Sequence, residues 1–219
     1  MGKARLSCAP FRVGLIGEKD MMLEDLTTLA STDLPIGAFR AHLRLGSGFT
    51  DDSLQDELLE NYLRAAFATI EARIGKVLLR RDFEWTLTRW SSDQEQPLPL
   101  APVNAVTSVV RTDSSGAQTV IDPATYILLP DTHRPKIVAK AGCFAQPIIG
   151  GTLSIQFSAG FGATWEAVPS DLRQAIMLLA SHYYEYRTDT SGVSGLVPNG
   201  VKDLLETYRV IRTFGGRQR

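Results

Sequence analysis

The sequence predicts an α+β fold, a helical bundle with an inserted antiparallel β-domain. Residues 50–74 carry apolar side chains at three- and four-residue spacing, which is typical of an amphipathic helix. Much of residues 79–164 instead alternates apolar and polar side chains, as half-buried strands do. Helical spacing returns after Ser170. Because the helices before and after the strands each have an apolar face, we expect those faces to pack against each other.

Domain boundaries follow from this pattern. We expect an N-terminal arm at residues 1–32, a helical bundle made of residues 33–78 and 165–214, an inserted β-domain at residues 79–164, and a C-terminal tail at residues 215–219. The first 20 residues precede the orderly pattern, so we expect them to add little to the core.

The composition is that of an ordinary globular protein. Of 219 residues, 44% are hydrophobic and 21% are charged, and the formal net charge is −1. So small a net charge gives no general attraction to nucleic acid or to anionic lipid. No run of residues approaches the about 18 apolar positions that a membrane span needs, so we expect no membrane partner.

The cysteines and the N-terminus predict an intracellular product. Cys8 and Cys143 are far apart and form no CxxC pair, which fits a reducing compartment and argues against a structural disulfide or a zinc site. The basic N-terminal segment has its apolar stretch broken by Pro10 and Arg12, so it makes a poor signal peptide.

Two helices are predicted before the strands. The first is expected to begin at Asp33-Leu34-Pro35, where an acidic cap precedes a proline that the first turn tolerates, and to run to about Leu45. Its buried side chains would be Ile36, Phe39 and Leu43, and it would stop at residues 46–48. The second begins at residues 50–52, whose acidic side chains suit the positive end of the helix dipole, and ends at Gly75. Its stripe consists of Leu54, Leu58, Leu59, Tyr62, Leu63, Phe67, Ile70 and Ile74.

The strands of the insertion are predicted to be short and antiparallel. Three show clear alternation, at residues 83–88, 106–111 and 152–158. Asp113-Ser114-Ser115-Gly116 has the composition of a hairpin turn. Shorter strands complete the set, at residues 118–121, 126–129 and 136–140. Prolines recur through the block, which disfavours a parallel sheet.

Two helices are predicted after the strands. The first follows Val168-Pro169-Ser170 and is apolar around much of its circumference, which places it at the centre of the bundle. A loop at residues 188–195 follows, and Asn199 is expected to cap a last helix that ends at Gly215-Gly216. The stripe of this last helix consists of Val201, Leu204, Leu205, Tyr208 and Ile211.

No motif predicts a catalytic, cofactor-binding or metal-binding residue. Gly160-Phe161-Gly162 lies between a strand and a helix, but Trp165 stands where a dinucleotide loop needs its third glycine, so the segment predicts a turn. His42, His133 and His182 have no further ligands nearby to complete a metal site. No serine lies in a Gly-x-Ser-x-Gly elbow.

Two groups of charges allow two interpretations. The acidic group consists of Asp51, Asp52, Asp56, Glu57 and Glu60, and the basic group consists of Arg209, Arg212, Arg217 and Arg219. Both fit solvated helix ends with signs that the helix dipole favours. The alternative is functional: the basic tail would leave the body after Gly215-Gly216 and dock in an acidic groove of a partner, while the acidic face would not adhere to passing DNA.

The order of motifs resembles the head-to-tail connector, or adaptor, proteins of tailed phages and of phage-derived gene transfer agents. The signal is the order, because each motif by itself is weak. The matching segments extend from Leu34 onward, at residues 34–35, 39–44, 51–54, 72–75, 83–87, 102–106, 159–162, 168–169, 172–176, 197–201, 204–205 and 208–209.

The resemblance implies a structural protein, without enzymatic activity or cofactor, at the head-tail interface of a virion or phage-like particle made in the bacterial cytoplasm. It implies a homo-oligomeric, dodecameric ring under the portal protein, joined to stopper or tail proteins, with DNA passing through the lumen without specific readout. A closed ring of this kind uses two different patches on each subunit. Residues 201–219 would bind the portal, with candidate contacts at Tyr208, Arg209, Arg212, Phe214, Arg217 and Arg219.

Two other functions stay open at this point. An intracellular enzyme or small-ligand-binding protein built on the β-domain is the first, because the members of a Ser-His-Asp site can lie far apart in sequence. A sequence-independent DNA binder is the second, although the near-neutral charge disfavours it.

Overall fold

Four helices and eight strands make up the part of the chain that the computed structural model describes, residues 21–45, 52–140, 142–147, 150–187 and 197–209. The helices are α1 (Ile36–His42), α2 (Asp52–Ile74), α3 (Ser170–Glu185) and α4 (Asn199–Glu206). The strands are β1 (Met21–Asp25), β2 (Arg81–Leu87), β3 (Glu95–Pro97), β4 (Val103–Thr112), β5 (Gln118–Val120), β6 (Tyr126–Leu129), β7 (Lys136–Ala139) and β8 (Thr152–Ala159). All pairs among these strands are antiparallel, and the predicted α+β class is confirmed.

The helices bury their apolar faces in one hydrophobic cluster. Leu63 and Ile70 of α2 and Leu172 and Ile176 of α3 are fully buried there. α3 contacts both α2 and α4, which confirms its predicted central position. Tyr62 and Tyr184 meet edge to face across the α2–α3 interface, with ring centroids 5.9 Å apart.

The strands form two sheets around a second hydrophobic cluster. The larger sheet has the order β1-β2-β8-β4-β5 and the smaller has the order β3-β7-β6. Alternate side chains of β2 and β8 point into the cluster, where the rings of Phe83 and Phe157 stack at 5.8 Å. The hairpin predicted at residues 113–116 joins β4 to β5, with the Asp113 N–H donating to the Ala117 carbonyl. The boundaries assigned to the domains stay a prediction.

Besides residues 26–35, which lead from β1 to α1, two adjacent crossings connect the helices to the sheets. Residues 76–80 lead from α2 to β2, and residues 160–162 lead from β8 towards α3. The two crossings are hydrogen-bonded to each other: the Arg80 N–H donates to the Gly162 carbonyl at 2.8 Å, and the Phe161 N–H donates to the Leu78 carbonyl at 3.2 Å. Arg81, at the start of β2, forms ion pairs with Glu71 of α2 and Asp25 of β1.

Two strands were not predicted. β1 lies in the segment assigned to the N-terminal arm, but it pairs with β2 along its whole length, from Met21 opposite Leu87 to Asp25 opposite Phe83. Its sequence does not alternate, because residues 22–25 are all exposed and neither face of this part of the strand is buried. β3 is only three residues long, too short to show a period.

Both predicted helix caps are wrong. Asp33 ends a short 3-10 turn, and Pro35 occupies the N-cap position of α1 without a side-chain hydrogen bond. Pro198 does the same for α4, so Asn199 is its first residue. Proline is suited to these positions because its φ is already restricted to helical values. α4 also ends at Glu206, earlier than predicted. The stops predicted at residues 46–48 and 215–216 and the loop at residues 188–195 lie outside the described residues.

Candidate partner-binding surface

Tyr208 fixes the end of the described chain to the helical body. Its hydroxyl donates to Asp171 of α3 at 2.9 Å, and its ring meets Phe161 edge to face at a centroid distance of 6.2 Å. Burial and the hydrogen bond to the Asp171 carboxylate raise the pKa of Tyr208 to about 12. Three residues earlier, near the end of α4, Leu205 is buried in the helical cluster, so side-chain packing sets the position at which the chain leaves the bundle.

Tyr208→Phe is expected to lower the free energy of unfolding by about 1 kcal/mol at pH 7, since it removes one hydrogen bond to a charged group at a half-exposed site. The raised pKa means that the neutral hydroxyl is favoured in the folded state. Its stabilising effect is therefore complete below the ordinary tyrosine pKa near 10 and is lost as the pH rises towards about 12. Denaturant unfolding at pH 7 and pH 11 measures this; a difference between wild type and variant that does not shrink at pH 11 would contradict it.

The structure describes two of the predicted portal contacts, Tyr208 and Arg209, and Arg209 is the more exposed. Its side chain is 59% exposed and pairs with Glu206 one helical turn earlier at 3.1 Å. Such a surface pair contributes only about 0–1 kcal/mol, so the guanidinium can exchange this partner for another at little loss. Arg212, Phe214, Arg217 and Arg219 lie outside the described residues. Tyr208 and Arg209 thus lie at one end of the bundle, but Tyr208 is packed against the helical body while Arg209 faces solvent.

Two of the acidic residues of α2, Asp56 and Glu60, are engaged within the chain. Asp56 is paired with Arg40 of α1. Glu60 accepts hydrogen bonds from Ser31 at 2.8 Å and from Arg64 at 2.7 Å, and these two contacts lower the pKa of Glu60. A nearby arginine partly cancels the field of a carboxylate, so Asp56 and Glu60 repel DNA less than unpaired carboxylates would.

A groove of about 550 Å³ lies between the C-terminal ends of α1 and α3 and the N-terminal end of α4. His42, Arg44, His182 and Glu185 contribute its polar lining. The His182 ring packs against Tyr186, with centroids 4.7 Å apart. Two of the three histidines, His42 and His182, thus line one groove, although they are 140 positions apart in the sequence. The sequence feature that could have indicated this groove is the position of both histidines near the ends of predicted helices.

Lys76 is a buried cation in the segment that follows α2, only 1% exposed. Its ammonium group donates to the Thr132 carbonyl and lies 3.3 Å from His133 Nδ1. Burial lowers the pKa of Lys76, while the nearby Asp131 raises it by a smaller amount. All these partners come from the loop between β6 and β7, so Lys76 connects the helical segment to the small sheet.

The described residues contain no cluster of three or more His, Cys, Asp or Glu side chains placed to hold a metal ion. Within the same part of the chain, none of the helices has both the length and the apolar character that crossing a bilayer requires. Gly160-Phe161-Gly162 forms the bend of the second crossing, and Asn104 donates to the Gly160 carbonyl at 3.0 Å.

Three solved structures contain chains similar to this one, and in each case 90% of this chain matches 100% of the other. A chain in the neck of an empty gene transfer agent particle, computed with C6 symmetry, is 45% identical with a TM-score of 0.82. A chain in the virion of a native gene transfer agent particle is 44% identical with a TM-score of 0.79. A chain in the neck of a native particle, computed with C12 symmetry, is 41% identical with a TM-score of 0.77. No protein-family model matches the chain, and neither does any curated protein.

Proposed function

We propose that this chain, which belongs to the head-to-tail connector family of gene transfer agent particles, forms the adaptor ring of a particle neck. As a member of that family it is a structural component of a phage-like particle and not an enzyme. The observation that carries the proposal is the match over the whole length of chains from two particle necks and one virion, at 41–45% identity.

The proposed ring is a dodecamer that joins the portal protein to stopper or tail proteins around the DNA channel. Twelve copies are compatible with both symmetries recorded for the related necks, C6 and C12, because a twelvefold ring contains the sixfold rotation. The near-neutral charge of the chain suits a lumen through which DNA passes without specific readout.

The proposed portal contact is the C-terminal segment, residues 201–219. Two observations support it. Val201 and Leu205 are buried and Tyr208 is bonded to Asp171, so the start of the segment is held in a fixed position on the body. Beyond it the sequence carries Arg212, Arg217 and Arg219 and no acidic residue, so the segment suits an acidic surface on the portal.

Deleting residues 214–219 is expected to weaken binding to purified portal rings by at least about tenfold, which corresponds to about 1.4 kcal/mol. A variant with Arg212, Arg217 and Arg219 changed to Gln tests the charge separately, and its loss of affinity should be smaller at high salt because salt screens exposed charges. The measurement is a quantitative pull-down at two salt concentrations.

The matched control for the charge variant changes three exposed basic residues elsewhere, Arg73, Arg80 and Lys140, to Gln. It alters the net charge by the same amount and should keep wild-type affinity for the portal. Equal losses in the two triple variants would show that net charge matters and the segment does not. Unchanged binding after the deletion would remove the segment from the portal contact.

A further inference from the structure

The two sheets together are called the β unit below. Exposed large apolar side chains in the described residues are concentrated at two of its edges. Six of the eight lie there. The β1 edge carries Met22, Leu23 and Leu26, and the β5/β6 edge carries Val120, Ile127 and Leu129. Met22 and Val120 are 58% and 65% exposed, the highest values of the eight. Natural sheet edges are usually protected by charge or by a covering element, so apolar side chains at two edges indicate surfaces that become covered.

The two edges include the opposite ends of the five-stranded sheet. β1 and β5 are the outer strands of the five-stranded sheet, so four strand spacings of about 4.8 Å separate them. One row of paired residues crosses the sheet from Met22 through Thr86, Ser154 and Val110 to Val120, which places Met22 and Val120 at its two ends. β6, an outer strand of the small sheet, follows β5 after only residues 121–125 and therefore stays close to it.

We propose that the β1 edge of one copy packs against the β5/β6 edge of the next copy around the ring. The inference rests on the proposed ring and specifies its subunit contact. Rings form from heterologous contacts, in which each subunit presents two different patches on different sides. The two edges are different patches of this kind, and each carries three exposed apolar side chains.

The contact is made by side chains and not by continuation of the sheet. The sheet is antiparallel at each of its four steps, so β1 and β5 run in the same direction. Neighbouring copies in a twelvefold ring differ by a rotation of only about 30°, so a shared ladder would have to pair β5 and β1 in parallel. Parallel pairing is the less stable kind, and β5 has only three residues.

Chemical cross-linking of assembled rings tests the contact. The full-length chain would carry Met22→Cys and Val120→Cys in a Cys8→Ser, Cys143→Ser background and be treated with a short bifunctional maleimide. A head-to-tail contact should yield a ladder of covalent oligomers extending to the full ring on a denaturing gel, whereas each single-cysteine chain should yield none. Covalent dimers from the Met22→Cys chain alone would indicate a twofold contact between β1 edges and overturn the proposal.

Charged substitutions test the same contact without added chemistry. Met22→Glu and Val120→Glu should each abolish ring formation while leaving the unfolding temperature of the monomer unchanged, because both positions are exposed. Leu58→Glu is the matched control, since Leu58 is also exposed, at 41%, but lies on α2 away from both edges. Normal rings from the edge variants, or equal loss in the control, would overturn the edge contact and leave the proposed function intact. A wild-type chain that forms no ring beside its portal would overturn both.

Discussion

Gly160→Ala is expected to destabilise the protein by about 4 kcal/mol, the sum of backbone strain and overpacking. Gly160 has φ +137°, a conformation that side chains rarely permit. A Cβ at this position would lie 2.6 Å from both N and Cα of Arg80, and backbone atoms cannot move aside as a flexible side chain can. The unfolding temperature should fall by roughly 10 °C, given about 2–4 °C per kcal/mol for a chain of this size.

Gly116→Ala separates the two causes. Gly116 also has positive φ, at +86°, but a Cβ there would meet nothing within 4 Å. We expect only the conformational penalty of about 1–2 kcal/mol. Thermal unfolding of both variants measures the difference. If both lost the same amount of stability, the clash between an added Cβ and the Arg80 backbone would not contribute to the loss in Gly160→Ala.

Arg81→Met is expected to reduce the free energy of unfolding by about 3 kcal/mol. The guanidinium lies between Glu71 and Asp25, and the Arg81 and Glu71 side chains are only 17% and 19% exposed. Removing the arginine leaves Glu71 charged in a poorly solvated site, where its other hydrogen bond comes from the Leu78 N–H at 2.8 Å. The double variant Arg81→Met, Glu71→Gln should recover much of the loss, because it removes the unpaired charge.

The loss caused by Arg81→Met should depend on pH. Burial raises the pKa of Glu71 above its ordinary value of 4.5, and Arg81 opposes that rise. Without the arginine the folded-state pKa rises further, so the folded variant binds a proton more readily than the unfolded chain does. The variant is then relatively more stable at low pH and loses stability as the pH rises from about 4.5 through the raised pKa. Denaturant unfolding between pH 4 and pH 8 measures this.

Lys136→Met provides the control for an exposed ion pair. Lys136 and Glu95 are 37% and 46% exposed, so breaking their pair should change stability by less than about 1 kcal/mol. A loss in Arg81→Met no larger than this, or one independent of pH, would mean that Arg81 does not compensate a buried carboxylate.

Long periodic segments were predictable from the sequence because their burial pattern repeats many times. α2 begins and ends as expected, with Gly75 at φ +64° after its last residue, and α3 begins at Ser170 as expected. The strands that alternate most regularly, β2 and β8, were predicted for the same reason: each has neighbours on both sides and one face in the core.

Contacts between distant positions were not predictable. β1 is defined by pairing with a strand about 60 positions later, and its own five residues show no period. In the candidate site, Tyr208 was predicted as a surface contact, but its hydroxyl partner, Asp171, is 37 positions away and carries no local signal. The acidic residues of α2 looked free for the same reason, since Arg40, the partner of Asp56, belongs to another helix.

The two hydrogen-bonded crossings make the segment from β2 to β8 replaceable. Because Arg80 and Gly162 are already bonded neighbours, the chain enters and leaves this segment at nearly one point, and a short loop could close the helical body if the segment were removed. Strands can therefore be added or lost, and the charges on their surface residues can change, without altering the path of α2 or α3. The outer surface of this segment can therefore change to fit new neighbours while the helices keep their register, provided that the Arg81 ion pairs, the Lys76 contact and the β1–β2 pairing are preserved.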